Sequence, residues 1–80
     1  MDRETFARKN GFRTFSMMLK ASKVVISDTG MLWLVTPTEF GYLAWVDEFI
    51  NKPLGYFDTP EQAKQEIKDV HALQSRLGKK

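Results

Sequence analysis

The stretch that decides the fold is LGYFDTPEQA, residues 54–63. Its first part, residues 54–57, joins a glycine to two aromatic residues, and aromatic residues are enriched in β-strands. Its second part has the signature of a helix start. Thr59 is the predicted N-cap, Pro60 is the first helical residue, and Gln62 completes a Thr-x-x-Gln capping box. The stretch therefore predicts a strand that is followed at once by a helix.

The helix that starts here is predicted to run over residues 60–77. Apolar residues repeat along it at helical spacing: Ala63, Ile67, Val70, Leu73 and Leu77. Gly78 is the predicted stop. Lys79 and Lys80 are predicted to form a loose tail.

A β-hairpin is predicted upstream of this junction. Residues 24–26 are β-branched, and residues 31–35 form a second apolar run. The Ser-Asp-Thr-Gly sequence between them predicts a turn in which Gly30 supplies a positive φ. Pro37 is predicted to open a connection over residues 36–41.

The N-terminal residues carry weaker signals. Residues 2–10 predict a short amphipathic helix with Phe6 as its only large anchor and Asn10-Gly11 as its stop. With one anchor, residues 1–11 are predicted to be a loosely held segment. Residues 12–22 fit two structures. A helix would align Phe12, Phe15, Leu19 and Ser22. A strand would align Phe15, Met17, Leu19 and Ala21. Periodicity does not choose between the two.

Residues 42–50 also fit both structures. A helix capped by Thr36 and Glu39 would gather their apolar side chains on one arc. Their aromatic and β-branched content favours a strand instead. Such a strand is apolar on both faces. One face carries Leu43, Trp45 and Phe49, and the other carries Tyr42, Ala44, Val46 and Ile50.

A resemblance favours the strand. Residues 54–63, with Trp45 and the turn at Asn51-Lys52 before them, are similar to the sheet-to-helix passage of plant APETALA-type DNA-binding domains and of the arm-binding domains of tyrosine recombinases. In those families a tryptophan-bearing strand turns into a strand ending in Gly-aromatic-aromatic, and a capped helix follows. They read DNA with Arg, Lys and aromatic residues on an exposed sheet face. Here residues 24–62 carry Lys52 as their only basic residue. The resemblance therefore supports the fold and counts against DNA reading.

These elements predict a single α+β domain over residues 1–80. A small antiparallel sheet of three to four strands, drawn from residues 14–57, packs against a C-terminal α-helix over residues 60–77. The alternative is a short hairpin with two or three helices. The predicted core aromatics are Trp33, Trp45, Phe49 and Phe57, with Tyr42 and Tyr56 at its boundary. Because one helix covers one face of a sheet, the other face needs residues 12–21, a second copy or a partner as its cover.

Composition excludes several classes of function. The 80 residues contain no cysteine, which excludes disulfides, cysteine zinc sites and thiol catalysis. The single histidine, His71, has no ligand at metal-binding spacing, and the glycines form no phosphate-binding loop. No apolar run approaches the length of a membrane span. We therefore expect a cytoplasmic, non-enzymatic protein with no cofactor, no metal site and no membrane partner.

The distribution of charge along the sequence suggests a function. The net charge is +2, but residues 1–23 balance to +4, residues 24–62 to −5 and residues 63–80 to +3. An acidic segment rich in aromatic residues predicts binding to a protein partner with a basic surface. The predicted contact residues are Tyr42, Trp45, Asp47, Glu48, Tyr56 and Asp58.

The predicted function is a small protein-binding module or inhibitor. Anti-defence proteins encoded by phages and mobile elements have this general size and lack of catalytic groups. The alternative is a nucleic-acid-binding accessory protein that uses its basic N-terminal segment and C-terminal tail. The N-terminal candidates for that role are Arg3, Arg8, Lys9 and Arg13. The sequence is also compatible with a homodimer.

Overall fold

The computed structural model describes residues 1–77 and combines one antiparallel sheet with three helices. The strands follow one another in the sheet in the order β1-β2-β3-β4. Their bounds are Lys23–Asp28 (β1), Met31–Thr38 (β2), Gly41–Val46 (β3) and Gly55–Phe57 (β4). The helices are Arg3–Lys9 (α1), Phe15–Ala21 (α2) and Pro60–Leu77 (α3). The predicted α+β class, with a C-terminal helix on a small sheet, is confirmed. The predicted stop at Gly78 and the Lys79-Lys80 tail lie outside the described residues.

Each face of the sheet has its own core. The first core lies between the sheet and the helices α1 and α2, and its buried members are Phe6, Ala7, Met18, Leu34, Leu43 and Trp45. The second core lies beneath α3, and its buried members are Trp33, Val35, Ala44, Val46, Ala63 and Ile67. Side chains alternate between the faces of a strand, which explains why β3 supplies both cores. Residues 12–21, one of the three predicted covers, therefore lie together with α1 over the first core, on the face of the sheet that α3 does not cover.

Residues 15–21 are helical, so the predicted sheet begins too early. The Oγ1 of Thr14, the N-cap of α2, accepts a hydrogen bond from the Met17 N–H at 3.1 Å. Phe15 and Met18 point into the first core. Residues three apart share a face of a helix but lie on opposite faces of a strand, so this pair requires the helix.

β3 is a strand, as predicted, but it ends at Val46 rather than at Ile50. Asp47 closes the ladder between β2 and β3. Its N–H donates to the Leu32 carbonyl at 3.0 Å, and its Oδ1 accepts from the Leu32 N–H at 3.0 Å. Phe49 lies in the following loop with 55% of its surface exposed, so its prediction as a core residue is wrong.

β2 is longer than predicted. It continues through Pro37 to Thr38, where a connection was expected. β1 pairs with β2 only as far as Val35, so proline at position 37 removes no hydrogen bond from that ladder. The β1–β2 turn contains Gly30 at φ 81°, as predicted, and Thr29 at φ 48° precedes it.

A chain of hydrogen bonds runs through the first core. The Trp45 Nε1–H donates to Thr36 Oγ1 at 2.8 Å. The Ser22 hydroxyl donates to the Met18 carbonyl at 2.7 Å. Its single proton is then used, so the Thr36 hydroxyl donates to Ser22 Oγ. The chain satisfies the indole and hydroxyl groups that this core buries, and it joins α2 to β2 and β3.

The start of α3 has the predicted capping box. Thr59 Oγ1 accepts from the Gln62 N–H at 3.2 Å, and Gln62 Oε1 accepts from the Thr59 N–H at 3.3 Å. The Asp58 N–H also donates to Gln62 Oε1, at 3.2 Å. The capping box therefore satisfies the Gln62 N–H in the first turn of the helix and the two N–H groups that precede it.

We expect Thr59→Ala to lower the free energy of unfolding by about 1 kcal/mol, because the Gln62 N–H loses its capping oxygen. Urea unfolding measures the change as a lower midpoint at an unchanged slope. Ser75→Ala, at an exposed position of the same helix, is the matched control and should not lower the midpoint. A Thr59→Ala midpoint equal to that of the parent protein would contradict the cap.

Candidate partner-binding surface

The six predicted contact residues do not form one surface. Trp45 is fully buried against α1 and α2 (0% exposed), and Tyr42 is half-buried beneath α3. The Asp47 carboxylate is occupied by the Leu32 N–H, as described above. Glu48 is exposed and lies 4.0 Å from the Arg3 guanidinium. Tyr56 and Asp58 are both exposed and line one surface depression, so the structure brings only these two together.

Tyr56 is an exposed aromatic side chain with an anchored hydroxyl. Its position in β4, paired with Leu43, points the side chain to the α1–α2 side of the sheet. The hydroxyl donates to Asn10 Oδ1 at 2.5 Å. Asn10 is itself buried at the end of α1, where its Nδ2 donates to the Phe6 carbonyl at 2.9 Å. Tyr56 is 45% exposed, and the hydrogen bond holds its ring in a defined orientation.

On one side of Tyr56 lies an apolar groove of about 460 Å³ between α1 and the β3–β4 loop. We call it the apolar groove. It is lined by Met1, Phe6, Lys9, Asn10, Phe40, Ile50, Asn51, Pro53 and Tyr56. Phe40, at the β2–β3 turn, is 59% exposed and meets the Tyr56 ring edge-to-face at 5.8 Å. Two exposed aromatic rings in contact form the kind of apolar anchor that interfaces use.

On the other side of Tyr56 lies an acidic depression of about 430 Å³, which we call the acidic shelf. It is lined by Tyr56, Phe57, Asp58, Gln62, Gln65, Glu66 and Asp69. Asp58 follows β4, while Glu66 and Asp69 come from one face of α3. Gln65 Nε2 donates to Asp69 Oδ1 at 2.9 Å and orients that carboxylate. No basic side chain of the described residues lines the shelf, so its field attracts cations.

Burial raises the pKa of the Tyr56 hydroxyl above its usual value of 10.0. The folded protein therefore holds this proton more tightly than the unfolded chain. We expect the stability that Tyr56 contributes to be present below pH 10 and to be lost as the pH rises through the raised folded value.

Tyrosinate absorbance in a Tyr42→Phe background, which leaves Tyr56 as the only tyrosine, measures this ionisation. The midpoint should lie above 10.0 in the folded protein and return to about 10 in denaturant. A folded midpoint at or below the denatured one would contradict the buried hydroxyl.

The N-terminal basic residues of the alternative hypothesis lie on or beside α1. Arg3 is used within the protein: its guanidinium donates to the Asp47 carbonyl at 3.3 Å and lies 5.8 Å from the centre of the Phe15 ring. Arg8 and Lys9 occupy the last turn of α1, and Arg13 lies between α1 and α2. In the resembling families the DNA-reading face of the sheet is exposed. Here α1 and α2 cover that face, so DNA cannot reach it.

His71 has a partner that the sequence did not indicate. Its Nε2 lies 2.8 Å from Asp28 Oδ2, and its ring meets the edge of Trp33 at 5.2 Å. The pair joins α3 to the β1–β2 hairpin across 43 positions of sequence. The contact holds α3 beside the β1–β2 hairpin, next to Trp33 of the second core.

Sequence reasoning missed Phe40, the apolar groove and the residues that α3 contributes to the acidic shelf. Phe40 had a local signal, because a phenylalanine beside Gly41 in a turn has little core to enter. Glu66 and Asp69 also had one, since positions three apart share a helix face. The groove had none, because it forms only where α1 meets a loop that lies some 40 residues further along the chain.

Within residues 1–77, no three His, Asp or Glu side chains are grouped as a metal ion would require. None of the described helices has the length and apolar character needed to cross a membrane. Comparison with protein-family models, with curated proteins and with solved structures gives no match to this chain.

Proposed function

We propose that this chain is a non-enzymatic protein-binding module and that its contact surface is centred on Tyr56. This Tyr56 surface consists of Phe40, Tyr56, Asp58, Glu66 and Asp69. The observation that carries the proposal is the position of Tyr56, an exposed residue with a hydrogen-bonded hydroxyl that lines both the apolar groove and the acidic shelf.

Three properties support a protein partner. Aromatic side chains contribute much of the affinity at protein interfaces, and Phe40 and Tyr56 are exposed together. The hydrogen bond to Asn10 orders the Tyr56 ring before any partner arrives, which lowers the entropy lost on binding. The carboxylates of the shelf would steer a basic partner towards this surface. The specific form of this function that we propose is an inhibitor of the kind encoded by phages and mobile elements, which would use the acidic shelf to cover a basic surface of its target.

Affinity capture from host lysate, followed by binding measurements on the purified partner, tests the proposal. Phe40→Ala should weaken binding by more than tenfold if Phe40 is an interface anchor. Phe49→Ala removes an equally exposed phenylalanine on the α3 side of the molecule and should leave binding unchanged. Circular dichroism checks that both variants are folded.

A charge-matched pair tests the electrostatic part. Asp69→Lys should slow association with the partner several-fold, whereas Glu39→Lys makes the same change in net charge away from the acidic shelf and should not. If nuclease treatment of the lysate abolished capture of the partner, the result would favour nucleic-acid binding over the proposal. Equal binding by the Phe40→Ala and Phe49→Ala variants would exclude the Tyr56 surface.

A further inference from the structure

β4 is an edge strand with an open side. Its residues pair with β3, and the sheet order places no other described strand beyond it. The backbone groups on the outer side of an edge strand are free to pair with another chain. β1 forms the opposite edge, but a bulge between Val24 and Ile26 breaks its regular ladder, and neither the apolar groove nor the acidic shelf borders it.

The apolar groove and the acidic shelf lie on opposite faces of the sheet at β4. Tyr56 pairs with Leu43 of the first core and points to the α1–α2 side, where the groove lies. Phe57 pairs with Tyr42 and packs against the second core, and the acidic shelf extends from it along α3. A strand added to β4 would therefore direct alternate side chains into an apolar site and an acidic site.

We propose that the Tyr56 surface binds an extended segment of the partner, which adds to β4 as a fifth strand and alternates apolar with basic side chains. The apolar residues enter the groove beside Phe40, and the Lys or Arg residues face Asp58, Glu66 and Asp69. Main-chain hydrogen bonds to β4 supply affinity, and the two sites supply specificity. This inference rests on the proposed function, because it specifies the partner of the same surface.

Charge complementarity selects this occupant over a second copy of the chain. Two β4 edges that pair about a two-fold axis place the same surface on both sides of the interface. The carboxylates of one acidic shelf would then lie close to those of the other, and like charges there oppose the contact. A basic segment neutralises them instead.

The probe is a synthetic peptide of about eight residues, a common strand length, that alternates Ile with Lys. Titration into labelled protein should shift the amide signals of Gly55, Tyr56 and Phe57. It should slow the hydrogen exchange of the Tyr56 amide, because Gly55 and Phe57 pair with Ala44 and Tyr42 while the Tyr56 N–H lies on the open side of β4. A peptide that alternates Ile with Glu should bind at least tenfold more weakly. Asp58→Lys combined with Asp69→Lys should reverse this preference between the two peptides.

Methylation of the peptide backbone isolates the strand pairing without altering the protein. Methyl groups on the alternate nitrogens that face β4 should weaken binding at least tenfold, whereas methylation in the other register should not. Equal effects of methylation in both registers, peptide binding that leaves the Tyr56 amide unprotected, or no binding at about 1 mM peptide would overturn the inference. Self-association of the protein through β4 would overturn it in favour of a dimer.

The two proposals fail separately. If a captured partner depends on Phe40 but leaves the exchange of the β4 amides unchanged, the Tyr56 surface stands and strand addition is wrong. If the alternating peptide binds β4 while capture does not depend on Phe40, the edge accepts a strand but the proposed function is wrong.

Discussion

Trp45→Ala is expected to remove most of the protein's stability. Trp45 is 0% exposed, and its ring lies 5.1 Å from that of Phe6 and 5.8 Å from that of Phe15. Removing a buried aromatic side chain from a core costs about 3–5 kcal/mol. The change also leaves the Thr36 hydroxyl without the Nε1–H that donates to it. A domain of this size has roughly 5 kcal/mol of stability in total, so the loss removes most of it.

Circular dichroism and urea unfolding measure this effect. Trp45→Phe keeps a ring between α1 and α2 but loses the hydrogen bond, so it should retain the fold at lower stability. Phe49→Ala is the exposed control and should stay within about 0.5 kcal/mol of the parent protein. If Trp45→Ala unfolded at the same urea concentration as Phe49→Ala, the first core would not depend on Trp45.

Gly41→Ala is expected to have the second largest effect, because two constraints meet at this glycine. Its φ is 120°, in the region that L side chains rarely adopt, and a Cβ there would lie 2.8 Å from the Phe57 carbonyl oxygen. The strain alone costs about 1–3 kcal/mol. The close approach is to backbone, so the substitution must also push β4 away from β3. We therefore expect a loss of more than 2 kcal/mol together with a displaced Tyr56.

Gly30→Ala is the matched control for this clash. Gly30 also has a positive φ, 81°, but a Cβ there would meet no atom within 4 Å. It should therefore show the backbone strain alone, about 1 kcal/mol. Unfolding measurements compare the two variants, and amide chemical shifts of Gly55–Phe57 report on β4. Equal losses for Gly41→Ala and Gly30→Ala would mean that β4 does not pack closely on Gly41.

The sequence predicted best where the signals were local. The capping box of α3 lies within four residues, and the hairpin turn needs one glycine at a positive φ. The end of β3 was missed because it depends on Asp47 meeting Leu32, which is 15 positions away. The sheet was predicted to start too early for a similar reason. Phe15 and Met18 lie on one face because both pack against core residues of β2 and β3, which are distant in the sequence.

The candidate site was less accessible to sequence reasoning for the same reason. An acidic and aromatic composition drew attention to residues 42–58, but composition does not say which side chains face water. Trp45 and Tyr56 are both aromatic residues in strands, and only the arrangement of α1 and α2 buries the first and exposes the second. Asp47 and Asp58 are likewise distinguished by their hydrogen-bond partners and not by their chemistry.

The strict succession of the strands has a consequence for how the chain folds. Every strand pairs with the one before it, so the sheet can assemble by short loop closures, which is the condition for rapid folding. The contacts of α1 are different, because Arg3 reaches Asp47 and Asn10 reaches Tyr56 across more than 40 positions. We expect these contacts to form after the rate-limiting step. They would then have little influence on how fast the protein folds, and would instead set how long the folded state lasts before it opens.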